Sequence, residues 1–380
     1  MRKYIFKVIE RGHIMINNDN KKIIYLRSTE IFNDSRATKE INSYASKYNV
    51  LVLGWNRNSN NLKIKNKKNV KYQFFNKKAK YGSGIKNLLN IFKFNLWLIK
   101  QMKKNVNNFE IIHACDLDTA IAARYIAKKY KKKMIYDIYD YYVECHNLGF
   151  FKNFVEKIDI KIINNSDTVL ICTEKRKKQI SKSNPKRVEI IHNSPNIECE
   201  TKKNKENNNR IANIGYFGIL QDDRLLLEIS KEIIKNKEFT LHIGGFGKYE
   251  EYFKELSQKY DNIKYYGQVS YEDVIKKEKE FDLLFATYNP LIPNHKYSAP
   301  NKVYEAMALN LPIIVCKGTG IDEMVENEKI GYTINYDASD FIKTAQKINK
   351  NDFKNNNKVF LEKYSWQIME KKLLDLIEKI

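Results

Sequence analysis

The sequence predicts an α/β protein made of two doubly wound parallel-sheet domains that face a central cleft. Three observations carry this expectation. Apolar strand-like runs alternate with amphipathic helices twice over, once on each side of a polar stretch near mid-chain. The strand runs are too continuously apolar for a sheet with one wet face, so helices must cover both faces. The 380 residues, 43% of them hydrophobic, also exceed what one core usually supports.

The elements follow in order. "KKIIYLRS" reads as the first strand and "DSRATKEINSYASKY" as the helix after it, with Asp34 or Ser35 as its cap. "NVLVLGW" and "NVKYQFF" are strands. The long helix "GIKNLLNIFKFNLWLIKQMKKN" combines Leu, Ile, Phe and Trp97 with Lys86, Lys93, Lys100, Lys103 and Lys104. That mixture suits a core-facing helix with solvated lysines, the favoured reading, and a helix lying on an anionic bilayer is the alternative. Next come strand "FEIIHAC", helix "DLDTAIAARYIAKKY", strand "KKMIYDIY", helix "FFKNFVEKIDIKIINNS" and strands "DTVLICT" and "VEIIHNSPN". "IECETKKNKENNNR" has no periodicity and reads as a linker. The alternation then restarts with "IANIGYFGIL", "DRLLLEISKEIIKN", "FTLHIGGFG", "YEEYFKELSQKY", "IKYYGQV", "YEDVIKKEKE", "DLLFATY" and the helix and strand beyond, ending in "GYTINY". The boundaries are a Rossmann-like domain over 1–196, a linker over 197–210 and a second Rossmann-like domain over 211–363. The last helix, 364–380, has apolar residues at helical spacing that suit several packing sites, and it is assigned back onto the first domain.

The net charge of +23 comes from lysine spread along the chain, as in "NNLKIKNKKNVK", and not from a recognised nucleic-acid reading module. Nucleic acid is therefore not the expected partner, whereas a basic face toward phosphates or lipid head groups is permitted. The cysteines Cys115, Cys145, Cys172, Cys199 and Cys316 form no CxxC and no paired framework, which points to a reducing compartment. "MRKYIFKVIERGHIMINNDN" lacks the pattern of a signal peptide, and no apolar run approaches the roughly 20 residues of a membrane span. The expected location is the cytoplasm, with the inner membrane face as an alternative.

The chemistry concentrates in "SAPNKVYEAMALNLPIIV", Ser298 to Val315. In a doubly wound sheet this loop delivers a helix N-terminus to the cleft, where free amides and the dipole favour anions. Ser298, Ala299, Pro300 and Asn301 form the turn, Val303 lies in the first helical turn, Lys302 adds a cation, and Glu305 is placed to accept two hydroxyls of a ribose. A nucleoside-diphosphate site and an ordinary helix start with an early acid are both consistent with these residues. In "GYFGILQDDRLLLEI", Gly215 and Gly218 let a ligand approach the backbone, and Arg224 heads the next helix. Gly244, Gly245 and Gly247 line the cleft floor or simply make a tight turn. In "HACDLDT", His113 ends a strand and Asp116 and Asp118 start a helix, where capping accounts for one of them. His192 and His242 read as core histidines, and no firm metal-ligand set is visible.

"PNKVYEAMALNLPIIV" resembles the donor-site signature of the family 4 glycosyltransferases, retaining enzymes of the GT-B fold that use nucleotide sugars. "IANIGYFGILQDDRLLLEI", "LHIGGFGKYEEY" and "IKYYGQVSYEDV" resemble successive pieces of that family's second domain, and "IIHACDLDTAIAARYIAKKYKKKMIYDIYDYYVE" resembles a block of its first. The resemblance implies a donor site of Gly218, Gly245, Ser298, Ala299, Asn301, Val303 and Glu305, with a UDP-sugar as the first donor candidate and a GDP-sugar as the second. It implies catalytic roles for Arg224 and Lys302 on the leaving diphosphate, and for Tyr139 and Asp140 beside the transferred sugar. Arg36 and Asp116 are implied on the acceptor side, although a plain N-cap explains the Arg36 segment as well. It implies no metal and no cofactor, and a glycan or lipid-linked acceptor, as in bacterial surface polysaccharide synthesis. Two departures bear on the sugar: Tyr297 stands where the family often has the first glutamate of Glu-x7-Glu, and Tyr139 stands where many relatives have histidine. A sugar-nucleotide 2-epimerase of the same fold and a silent nucleotide-sugar or polyanion-binding protein are the rival readings.

Overall fold

The computed structural model describes residues 22–58, 67–79, 87–197 and 210–380. The N-terminal reading, Lys86, Cys199 and most of the linker lie outside the described residues. The first sheet holds β1 (Lys22–Arg27), β2 (Asn49–Asn56), β3 (Val70–Asn76), β4 (Ile111–Cys115), β5 (Lys133–Asp137), β6 (Thr168–Ile171) and β7 (Val188–Ile190). The second holds β8 (Asn213–Leu220), β9 (Thr240–Gly247), β10 (Ile263–Tyr265), β11 (Leu283–Ala286), β12 (Ile313–Cys316) and β13 (Gly331–Ile334). Their spatial orders are β3-β2-β1-β4-β5-β6-β7 and β10-β9-β8-β11-β12-β13, and the paired strands within both sheets run parallel. The two doubly wound sheets expected from the alternation are therefore present.

Parallel pairing follows from the strand composition. Ile23, Ile24, Tyr25 and Leu26 are all wholly buried, as are Ile313, Ile314, Val315 and Cys316, so neither face of β1 or β12 meets water. In each sheet the strand order reverses once, between β1 and β4 and between β8 and β11. A crevice opens beyond the carboxyl ends at such a reversal, and that is where doubly wound sheets bind ligands.

Helices Leu88–Lys104, Leu117–Tyr130 and Lys152–Asn165 cover one face of the first sheet, packing Phe94, Leu98, Ala123, Ile126 and Ile163 against Ile24, Leu26 and Ile112. Helices Ser35–Lys47 and Trp366–Lys379 cover the other, where Ile41, Tyr44, Met369 and Leu373 join Ile23, Tyr25 and Val52. The chain thus returns to the first sheet after completing the second. Among the described residues no helix is long and apolar enough to cross a membrane.

Candidate active site

At the reversal of the second sheet the turns after β8 and β11 meet. β8 runs into the turn Asp222–Arg224, and β11 leads through Thr287 and Tyr288 to the turn Pro293–Tyr297 and then helix Asn301–Ala308. Thr287 Oγ1 donates to the Arg224 carbonyl at 2.6 Å and fastens the two turns together. The Arg224 guanidinium lies 3.8 Å from the Tyr288 ring centroid and pairs with Asp223 Oδ2 at 3.0 Å. It also lies 2.9 Å from His295 Nε2. His295 Nδ1 faces the Asn289 carbonyl at 2.9 Å, which can only accept, so Nδ1 carries the proton, and Nε2 lies between Arg224 and Asp223 Oδ2, the latter 3.2 Å away. Packing thus fixes the direction of this arginine before any ligand arrives.

Lys302 lays its chain across Tyr216, with Nζ 4.3 Å from the ring centroid. A Cβ on Gly218 would come within 2.9 Å of that Nζ, so glycine there leaves room for the ammonium. Gly245 stands opposite Gly218 in the β8–β9 register, and its own Cβ would fall 1.8 Å from the Gly218 carbonyl oxygen. Glycine at 245 is therefore what lets the two strands close here. Burial pushes the Lys302 ammonium down and Arg224 adds to that, while Glu305 and Glu278 oppose it. Two cations held together in a desolvated corner, at the open end of a helix, make a site for an anion.

Glu305, three residues beyond Lys302, is 3% exposed and accepts a hydrogen bond from Tyr271 Oη at 3.0 Å. Burial pushes its carboxyl up, against the pull of Lys302 and Tyr271. Glu278 is wholly buried with neither carboxylate oxygen hydrogen-bonded, and burial together with the Glu305 charge raises it well above the usual carboxylate range.

The residues expected at the helix start divide. The amides of Asn301 and Lys302 stand at the open N-terminus. Ser298 instead donates its hydroxyl to the His295 carbonyl at 3.0 Å, and the Ala299 carbonyl accepts from Asn193 of the first domain at 2.9 Å, so both shape the turn. Val303 corrects the sequence reading. Its side chain is wholly buried and its amide donates to the Pro300 carbonyl at 3.2 Å, so it packs the helix start instead of presenting its side chain to the cleft.

Across the cleft, Asp116 has φ +58 and makes no side-chain cap, contrary to the capping explanation. Its Oδ1 accepts from the backbone amides of Tyr139 at 2.9 Å and Asp140 at 3.3 Å, and Oδ2 pairs with Arg27. A strained backbone here aims a carboxylate that holds the 139–140 turn. Burial pushes the Asp116 carboxyl up to about 6. Tyr139 places its ring between Arg27 and Arg36, 4.0 and 4.8 Å from the centroid, and its hydroxyl lies 2.9 Å from Tyr25 Oη and 3.3 Å from Glu40 Oε2. That hydroxyl is turned into the domain. Asp140 is about half exposed, pairs with Arg176 at 3.2 Å and accepts from Asn294 of the second domain at 3.0 Å.

Arg36 is a second correction. It is 5% exposed, binds Asp137 at 2.8 and 3.0 Å, Glu40 at 3.0 Å, the Ile191 carbonyl at 2.6 Å and Asn193 at 3.0 Å. Its donors are fully engaged inside the domain, so it supports the cleft wall and does not reach an acceptor. Beside it, Glu40, His113, Cys115 and Asp137 bring ligand-capable atoms within 4.8 Å of one another, a grouping that the scattered sequence positions hid. Arg36 already answers both carboxylates of that group. Tyr216, Tyr271, Glu278, Tyr288 and His295 were also missed, since each earns its place through contacts between elements distant in sequence.

Comparison with known proteins agrees with this geometry. Residues 211–351, which contain Arg224, Lys302 and Glu305, match the family model described as Glycosyl transferases group 1. No curated protein matches the chain. Among solved structures, the sucrose-phosphate synthase of Thermosynechococcus elongatus superposes with a TM-score of 0.71 at 11% identity, over 95% of this chain and 99% of that one. HepE of Anabaena, in complex with UDP, gives a TM-score of 0.66 at 12% identity, over 94% and 100%. The apo lipopolysaccharide outer core galactosyltransferase WaaB gives 0.62 at 16%, over 94% and 100%. The chain has the GT-B fold, and together these findings support a glycosyltransferase.

Proposed function

We propose that the protein is a retaining glycosyltransferase. It moves a hexose-type sugar from a nucleoside-diphosphate donor, with a UDP-sugar as first candidate, to the hydroxyl of a glycan or lipid-linked acceptor. One observation carries the reading: Arg224 and Lys302 converge on the reversal point of the second sheet beside a buried carboxylate, Glu305. In this reading the two cations and the amides of Asn301 and Lys302 hold the diphosphate. Glu305 exchanges its bond from Tyr271 for bonds from the ribose hydroxyls. HepE bound to UDP-glucose supports the donor class, and the description of WaaB supports a role in surface polysaccharide synthesis.

The chemistry then asks little of the protein beyond charge placement. The bond from the sugar anomeric carbon to the β-phosphate oxygen breaks, a bond to the acceptor oxygen forms on the same face, and the departing phosphate takes the acceptor proton. Arg224 and Lys302 stabilise the charge that grows on that phosphate. Asp140, the carboxylate at the domain boundary, orients the sugar hydroxyls.

Glu305→Gln tests the ribose assignment while keeping the side chain's volume. Calorimetric titration with UDP is expected to show affinity lowered about 10- to 100-fold, the loss of hydrogen bonds to a charged acceptor. Unchanged affinity would remove Glu305 from the site.

A further inference from the structure

We infer that the helical face of the first domain beside the cleft docks on an anionic lipid bilayer. Helices Leu88–Lys104, Leu117–Tyr130 and Lys152–Asn165 form one layer. Asn95 bonds to the carbonyl of Asp118 at 2.8 Å and the amide of Ala122 at 3.1 Å, and Arg124 bonds to Asn165 at 2.9 Å. Each helix runs back from the carboxyl end of one strand to the start of the next, so all three begin at the cleft edge.

The first helix has two apolar stripes. Phe94, Leu98 and Met102, spaced by four, are wholly buried in the core. Leu88, Phe92 and Leu96, also spaced by four but offset by two residues, point the opposite way and are each more than half exposed. Folding accounts for the inner stripe and leaves the outer one unused. At the cleft-side start of the third helix, Phe150, Phe151 and Phe154 are likewise more than half exposed, Phe150 at 96%. Exposed apolar side chains gathered on two helices of one layer beside a cleft mark an interaction surface.

Charge identifies the partner. Every exposed charged side chain on these three helices is a lysine, whereas Asp118, Glu156 and Asp159 are buried or half-buried and Glu156 is paired with Lys182 at 2.8 Å. Apolar side chains entering at the head-group boundary, with lysines flanking them, fit an anionic membrane surface. A second copy of the chain would set lysine against lysine. The orientation also brings the acceptor side of the cleft to the membrane.

The test is flotation with phosphatidylcholine vesicles, with and without phosphatidylglycerol, in the absence of any substrate. The wild-type protein is expected to float only with the anionic vesicles. The triple variant Phe92→Ser, Phe150→Ser, Phe154→Ser, altered only at exposed positions, is expected to bind about tenfold or more weakly with an unchanged melting temperature. Absence of binding, or equal binding to neutral vesicles, would overturn the inference. So would a wild-type dimer in light scattering that the triple variant abolishes, which would assign the face to a second copy. Because no nucleotide is used, these outcomes are independent of the transferase reading.

Discussion

Arg224→Ala is expected to lower turnover about 10²–10³-fold while leaving donor affinity far less changed. The reason is timing. The diphosphate is already anionic in the bound donor, and in the proposed mode the helix N-terminus and Lys302 hold it in that state. Charge on the bridging oxygen appears only as the sugar leaves, and a guanidinium fixed by Tyr288, His295 and Asp223 meets it without reorganising. Steady-state kinetics with the donor varied check this split between kcat and KM. Full turnover in the variant would remove Arg224 from the chemistry. His295→Ala is the accompanying control, since it loosens Arg224 without deleting its charge.

Arg36→Ala is expected to cost about 3–5 kcal/mol of stability, the range for breaking a buried ion pair by removing one partner. The guanidinium is the cation nearest two wholly buried carboxylates, Asp137 and Glu40, and it also closes the Ile191 carbonyl. Without it both acids face a desolvated interior. Urea unfolding at neutral pH measures the loss, and a change below about 1 kcal/mol would show that another group carries the charge. The two carboxyls respond to pH with opposite signs: burial pushes Glu40 up to about 7, so its ionisation costs stability as pH rises, whereas Asp137 is held down. Although burial alone would raise Asp137, Arg36 and His113 hold its carboxyl below the ordinary carboxylate value. The stabilisation from Asp137 is thus present above the unfolded value, near 4, and is lost as pH falls through the lower folded value.

The same residue shows where sequence reading stops. The strands, their burial on both faces and the helix after β11 follow from local periodicity, because apolar runs such as those around Ile24 and Ile314 determine burial by themselves; the spatial order of the strands does not. The placement of Lys302 and Glu305 was legible for a similar reason: both sit on one short helix whose start the strand before it aims at the cleft. Arg36 was not. Its neighbours in "FNDSRATKE" suggest a helix cap, which Asp34 indeed provides to Ala37 at 3.0 Å, while the arginine's partners Asp137 and Ile191 lie more than a hundred residues away. The surroundings of Tyr139 and Val303 were hidden likewise, the hydroxyl of the one turned inward to Glu40 and Tyr25, the amide of the other bonded to the Pro300 carbonyl. His295 lies in "LIPNHKY", which reads only as loop, and its contact with Arg224 crosses seventy-one positions.

The central claim is that the corner formed by Arg224, Lys302 and Glu305 holds a nucleoside diphosphate. Calorimetric titration of the wild-type protein with UDP, GDP, ADP and CMP tests it most directly. The account predicts one-site binding of a single nucleoside diphosphate, most strongly UDP, and weaker binding of the monophosphate. No binding of any of the four would contradict the account, leaving two buried cations without the anion their placement implies.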